Sequence, residues 1–351
     1  MAGRTWPFAI RFSFVLCLFA PVSLLDDFNI AIAQDQDAMV VRAPNDVHKF
    51  SRLVGSVIEL TSEHAIFVVK GGTREQKIAL SRIAELDIAR SEDDEQGRLR
   101  LASGQIESAK EFFEKALAKE NIAWRQRELE GLLAQCEFSS GEIDAAGKRL
   151  APFLKSEPDS RLLAFLPIPW ADSFKAPSQA NLSAWAGDET PALKLMAASW
   201  MLGGEKRKEA KAQLERLAEG PSKRIACLAE AQLWRLRLPT ATELDSQRWL
   251  ERVSGFPEDL QAGPSFVAAQ AASRNKLHWK AAEAWMRIAL LHPLQASLAS
   301  ESQFLAAREL QSSGANADAI VLYDRIAATP EDYPHRNEAI EALMLLRGAA
   351  K

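Results

Sequence analysis

Five histidines, three cysteines and the Gly71-Gly72 turn are the residues from which a catalytic or metal site would have to be built. The histidines are His48, His64, His278, His292 and His335, and none has a partner at the His-Glu-x-x-His spacing of a helical zinc site. His278 is expected at a helix start beside Trp279, and His292 at a helix end before Pro293. Histidines at helix ends more often serve the helix dipole than a metal. Gly71-Gly72 lacks the Lys-Ser/Thr that a phosphate loop requires, and no Gly-x-Ser-x-Gly elbow occurs. Cys136 and Cys227 fall among Leu and Ala in helical stretches and read as small core residues, not nucleophiles. Glu and Asp are plentiful, but they fall on polar helix faces, where carboxylates are solvated charge. The sequence therefore predicts no enzyme, no cofactor and no metal.

The elements that would position a site are easier to read. The chain has 351 residues, 47% apolar and 26% charged, enough for two domains or one long repeat array. Its net charge of −4 gives no support to nucleic-acid binding, which favours a basic surface. Residues 1–33 have the form of an export signal. Arg4 and Arg11 make a basic start, Phe12 to Leu25 is apolar, and Ala31-Ile-Ala33 is a small-x-small cleavage site. The apolar run is short for a membrane span, although an uncleaved signal anchor is the alternative. The expected location is thus the periplasm or cell envelope, with 34–49 as a linker.

From Phe50 to Ile88 the pattern is β. Arg52–Leu60 is rich in β-branched residues, and Ala65–Val69 is a buried-strand run. Lys70-Gly-Gly-Thr73 is a hairpin turn, since glycine permits positive φ. Gln76–Leu80 and Ile83–Ile88 complete a curled sheet or small barrel. Gly55-x-Val57, the following hydrophobic strand, the Gly turn and the terminal Ile-x-x-Leu resemble an Sm-like or SH3-like small barrel.

Ser91-Glu-Asp-Asp-Glu opens a helix, with acidic residues favouring its positive end. Helical periodicity then continues almost to the C-terminus. Gly104 is followed by Ala109, Phe113 and Ala116, which share one helix face: small residues admit a neighbouring helix and the large one fills the space beside it. The small residue recurs as Ala146, Ala210, Ser246, Ala281 and Ala319, mostly some three dozen residues apart. Gly141 and Gly314 repeat the turn glycine, whereas Lys276 stands in that place before Ala281. Leu193-x-x-Met196-Ala197-x-x-Trp200 has the first-helix pattern, with Ala231 and Trp234 repeating its last two positions.

These spacings resemble tetratricopeptide-repeat proteins over residues 92–348. The resemblance implies a mainly α fold: a helical-hairpin solenoid after a small β-rich module. One interval is too long, near 156–190, and contains Phe165-Leu-Pro-Ile-Pro-Trp170. Two prolines forbid a continuous helix there. The alternatives are a poorly conforming repeat, or an inserted arm that packs Trp170 and Phe174 and covers part of the groove. Of nine tryptophans, Trp200, Trp234, Trp249 and Trp285 fall on packing stripes; Trp124, Trp170, Trp185 and Trp279 are freer, and one or two of them could be exposed.

The family's usual role is to hold a peptide or protein partner on the concave face, lined by the first helix of each pair. Carried over at matching spacing, six residues before the turn position, the implied partner-binding residues are Arg98, Gln135, Gln270 and Arg308. The implied function is an exported, non-enzymatic scaffold. Ligand or nucleic-acid binding by the β module is the alternative.

Overall fold

The computed structural model describes residues 36–43, 46–171, 176–331 and 333–349, so the stretch expected to be an export signal and Phe174 lie outside the described residues. Strands β1 (Asp37–Ala43), β2 (Asp46–Leu60), β3 (His64–Val69), β4 (Glu75–Ala79) and β5 (Ile83–Asp87) form one antiparallel sheet ordered β4-β3-β2-β1-β5. The sheet thus begins at Asp37, inside the stretch expected to be a linker. β1 pairs with both β2 and β5 and is interior to the sheet. Its run DAMVVRA is short and opens on a charge, so its strand character depends on neighbours remote in sequence.

Helices follow as antiparallel pairs: α1 (Glu92–Ala102) with α2 (Ile106–Lys119), and α3 (Ala123–Ser139) with α4 (Ile143–Ser156). The single helix α5 (Gln179–Gly187) precedes α6 (Pro191–Met201) with α7 (Arg207–Ala218), α8 (Lys223–Arg237) with α9 (Glu243–Val253), and α10 (Ala262–Arg274) with α11 (His278–Leu291). α12 (Ala296–Ser312) with α13 (Asn316–Ala327) is the last pair, and α14 (Arg336–Ala349) ends the array. α1 starts where its capping predicts: Ser91 accepts from the Asp94 amide, and Glu92, Asp93, Asp94 and Glu95 fill the first turn.

The repeat face is as expected. Ala109, Ala146, Ser246, Ala281 and Ala319 are fully buried, and Ala210 nearly so. Gly104, Gly141 and Gly314 have φ of 78°, 80° and 84°, the left-handed turn that ends the first helix of a pair. Lys276 adopts the same turn at φ 59°, so the geometry persists where the glycine is missing.

Two further contacts make the molecule one body. The array closes on itself: Ser297 of α12 bonds Ser139 of α3 at 2.9 Å, Ala296 shares a core with Leu132, Leu133 and Cys136, and Gly104 lies against the Tyr333 ring. The sheet is fixed to α3. Trp124 joins the sheet's core and donates its indole N–H to the Val57 carbonyl at 3.0 Å. The buried Asp37 carboxylate accepts from the Val57 amide (2.7 Å), the Ala89 amide (2.8 Å) and the Arg125 guanidinium (2.7 Å). No helix of the described residues is long and apolar enough to cross a membrane.

Candidate functional site: the inner wall of the array

The first helices of the pairs, α3, α6, α8, α10 and α12, face inward, and what they face is residues 160–171 of the same chain. After α4, Ser160 caps a 3-10 turn (Arg161–Phe165), and the chain then runs extended through Leu-Pro-Ile-Pro-Trp. Leu162, Leu163, Leu166, Ile168 and Trp170 are all buried to within a few per cent. The segment is therefore not a degenerate repeat hairpin. It is an inserted arm that occupies the interior.

Hydrogen bonding divides cleanly between arm and wall. The arm's own amides turn inward on the arm: Leu162 to the Ser160 hydroxyl (3.3 Å), Leu163 to the Ser160 carbonyl (3.2 Å), Leu166 to the Leu163 carbonyl (3.4 Å) and Ile168 to the Leu166 carbonyl (2.8 Å). Pro167 and Pro169 have no amide hydrogen. What remains is a row of acceptors, and the wall supplies donors to them. Trp200 of α6 donates to the Pro167 carbonyl (2.8 Å), Gln232 of α8 to that of Pro169 (3.1 Å), and Gln295, which precedes α12, to that of Ala164 (3.3 Å). Arg235 donates to the Gln232 side-chain oxygen at 2.8 Å, which turns its NH₂ toward the arm. Buried carbonyls left without donors would cost about 1–3 kcal/mol each, so the three contacts fix the arm's register.

Shape agrees with chemistry. Gly131 in α3 lies against Phe165 and Leu162, and Gly263 in α10 lies against the Trp170 indole; a Cβ at either would overlap those side chains. A residual cavity of about 20 Å³ beside the arm, touched by Gln135, Leu228 and Leu298, is close to the volume one water needs.

The four residues expected to bind a partner are not brought together. Gln135 is buried beside the arm, so it lines the interior without facing solvent. Arg98 is half-buried and committed to Asp94 (2.7 Å) and Glu128 (3.2 Å). Burial pushes the Glu128 carboxyl up, but Arg98, Arg90 and Arg161 outweigh it and hold it below the usual range. Gln270 is partly buried on α10, and Arg308 is exposed, with its guanidinium 6.0 Å from the Phe304 ring centre. Gln232, which does contact the arm, stands at the same spacing before Leu238, where no glycine marks the turn. Of the freer tryptophans, Trp124, Trp170 and Trp185 are buried and Trp279 is 60% exposed.

Two of the histidines serve helix packing. His278 pairs with Glu309 of α12 at 2.7 Å, a carboxylate that also accepts from Ser273. His335 pairs with Glu301 at 2.6 Å and stacks on Phe304 at 4.4 Å. Burial pushes the thiols of Cys136 and Cys227 up to about 12, which leaves them protonated and poor nucleophiles.

Residues 100–166 match the tetratricopeptide-repeat family, from the end of α1 through α4 and into the arm. With the helix pairs on either side, the helical part of the chain is tetratricopeptide-repeat-like, after a small antiparallel sheet. No curated protein matches the chain.

Proposed function

We propose that the chain is an exported, non-enzymatic scaffold that binds a protein partner in the cell envelope. The observation that carries this reading is the inner wall: donors on three elements of the array hold an extended peptide segment by its backbone carbonyls. Backbone recognition by side chains on a rigid helical array is peptide-binding chemistry. Export rests on the basic start, apolar run and Ala31-x-Ala33. The test of both parts is purification of the envelope fraction with a C-terminal tag. An N-terminus at Gln34 and a co-purifying protein at constant stoichiometry are expected; an intact Met1 overturns cleavage, and a chain that comes alone overturns the scaffold.

A specific observation favours a second contact surface. β2 leaves Phe50, Val54 and Ile58 48%, 37% and 46% exposed, with Ile58 at an irregularity in the β2–β3 pairing. Replacing all three with Ser should leave the fold intact, and loss of the partner in that variant alone would move recognition to the sheet.

A further inference from the structure

The inner wall has the properties of a binding site as well as those of a core. A core formed only to exclude water would be lined by apolar side chains. This wall also presents hydrogen-bond donors to three of the arm's carbonyls, one in its 3-10 turn and two in its proline-spaced run, with glycines placed where the arm's largest side chains lie. Donors on the wall and carbonyls on the arm are complementary in a way that another peptide of the same design could reproduce. Proline at alternate positions removes the amides that would otherwise be stranded against the wall, and it also pre-sets the extended backbone at low entropic cost.

We propose that residues 160–171 are a ligand bound in cis, and that the groove's other occupant is a partner segment of the same chemistry: an extended, proline-spaced apolar run ending in an aromatic residue. This deepens the scaffold reading and rests on it. The arm then sets when the partner binds. A tethered segment competes at an effective concentration on the order of millimolar, so the resting chain is closed to peptides present at micromolar levels. A partner gains access by exchange with the arm.

The test uses the full chain from Gln34 with residues 160–171 replaced by Gly and Ser at equal length, and a fluorescent peptide of residues 159–171. The replaced chain should bind the peptide, and the unaltered chain should bind it at least a hundredfold more weakly. Peptide carrying Pro167→Ala and Pro169→Ala should bind at least tenfold more weakly than the native sequence, because it gains two amides that need partners in a buried groove and loses the pre-set extended backbone. A replaced chain that keeps its helical circular dichroism but ignores the peptide overturns the proposal. Should the replaced chain fail to fold, protease sites placed at 157 and 175 in the unaltered chain give a second measurement. The cut arm should leave on dilution and return on adding excess peptide, while the rest stays folded. An arm that leaves only when the whole chain unfolds is core, and the proposal fails. Dimerisation through exchanged arms, seen by light scattering, overturns it in favour of a second copy as occupant. A partner captured equally by chains with and without the arm keeps the scaffold reading and sinks this one.

Discussion

Two bodies that are not repeat hairpins are held against the array, and they are held by different chemistry. The sheet is anchored by charge: Asp37 is buried and takes donors from its own sheet, from the following loop and from Arg125 on α3. The arm's run from Ala164 to Pro169 is anchored by neutral donors on neutral carbonyls, with apolar side chains around them, and its one charge, Arg161, acts on Glu128 of α3 at the arm's root. The difference matters for exchange. Withdrawing the sheet would break the Asp37–Arg125 pair and the Trp124–Val57 hydrogen bond together and uncover the apolar core that they enclose. Withdrawing the arm leaves a tryptophan N–H and two amides, which water or another peptide's carbonyls can satisfy.

Asp37→Ala should break the first anchor with the largest effect, on the order of 3–5 kcal/mol, because Arg125 loses its charge partner and two amides lose their acceptor. Urea unfolding monitored by circular dichroism measures it, and a loss below 1 kcal/mol would mean that the carboxylate is hydrated. Gly263→Leu attacks the arm by shape. It should cost about 1–3 kcal/mol by overpacking against Trp170, and amides of 160–171 should exchange faster with the sheet unaffected. An unchanged melting temperature would place Trp170 elsewhere. Gln232→Ala removes one donor and should cost about 1 kcal/mol, with the exchange of Ile168 and neighbouring amides rising while those of β1 stay slow.

A smaller effect belongs to pH. The bond to Glu301 raises the His335 pKa above its ordinary value, against the opposing pull of burial. A raised folded value means that this contribution is complete below the unfolded pKa near 6.5 and is lost as pH rises through the folded value. The stability difference between the native chain and His335→Gln should therefore shrink between acid and alkaline pH. A difference that grows with pH would show the imidazole neutral against Glu301.

Local rules were legible in the sequence and remote ones were not. Ala109, Ala146, Ala281 and Ala319 announced the packing face because three- and four-residue spacing is a property of the helix itself. β1 was not legible, since a seven-residue strand opening on Asp37 becomes interior only when β2 and β5 flank it. The arm was visible as a break with two prolines, but its destination depends on closure of the array, which brings α12 back to α3. Two signals pointed to it. Gly131 interrupts an otherwise helical stretch, where a glycine marks a close approach, and Gly263 stands in the first turn of α10 before Pro264. The candidate residues were drawn from turn glycines, so the spacing reached Gln135 but passed over Gln232, whose helix ends in Leu-Pro.

The central claim is that the arm lies inside the array with Trp170 against Gly263. The chain labelled with 5-fluorotryptophan, its Trp170 resonance assigned by loss in Trp170→Phe, tests this by fluorine NMR. The account predicts a single dispersed Trp170 resonance with no shift between H₂O and D₂O, beside a solvent-sensitive resonance from the exposed Trp279. A Trp170 resonance at the position of free, solvated fluorotryptophan, sensitive to D₂O, would contradict it.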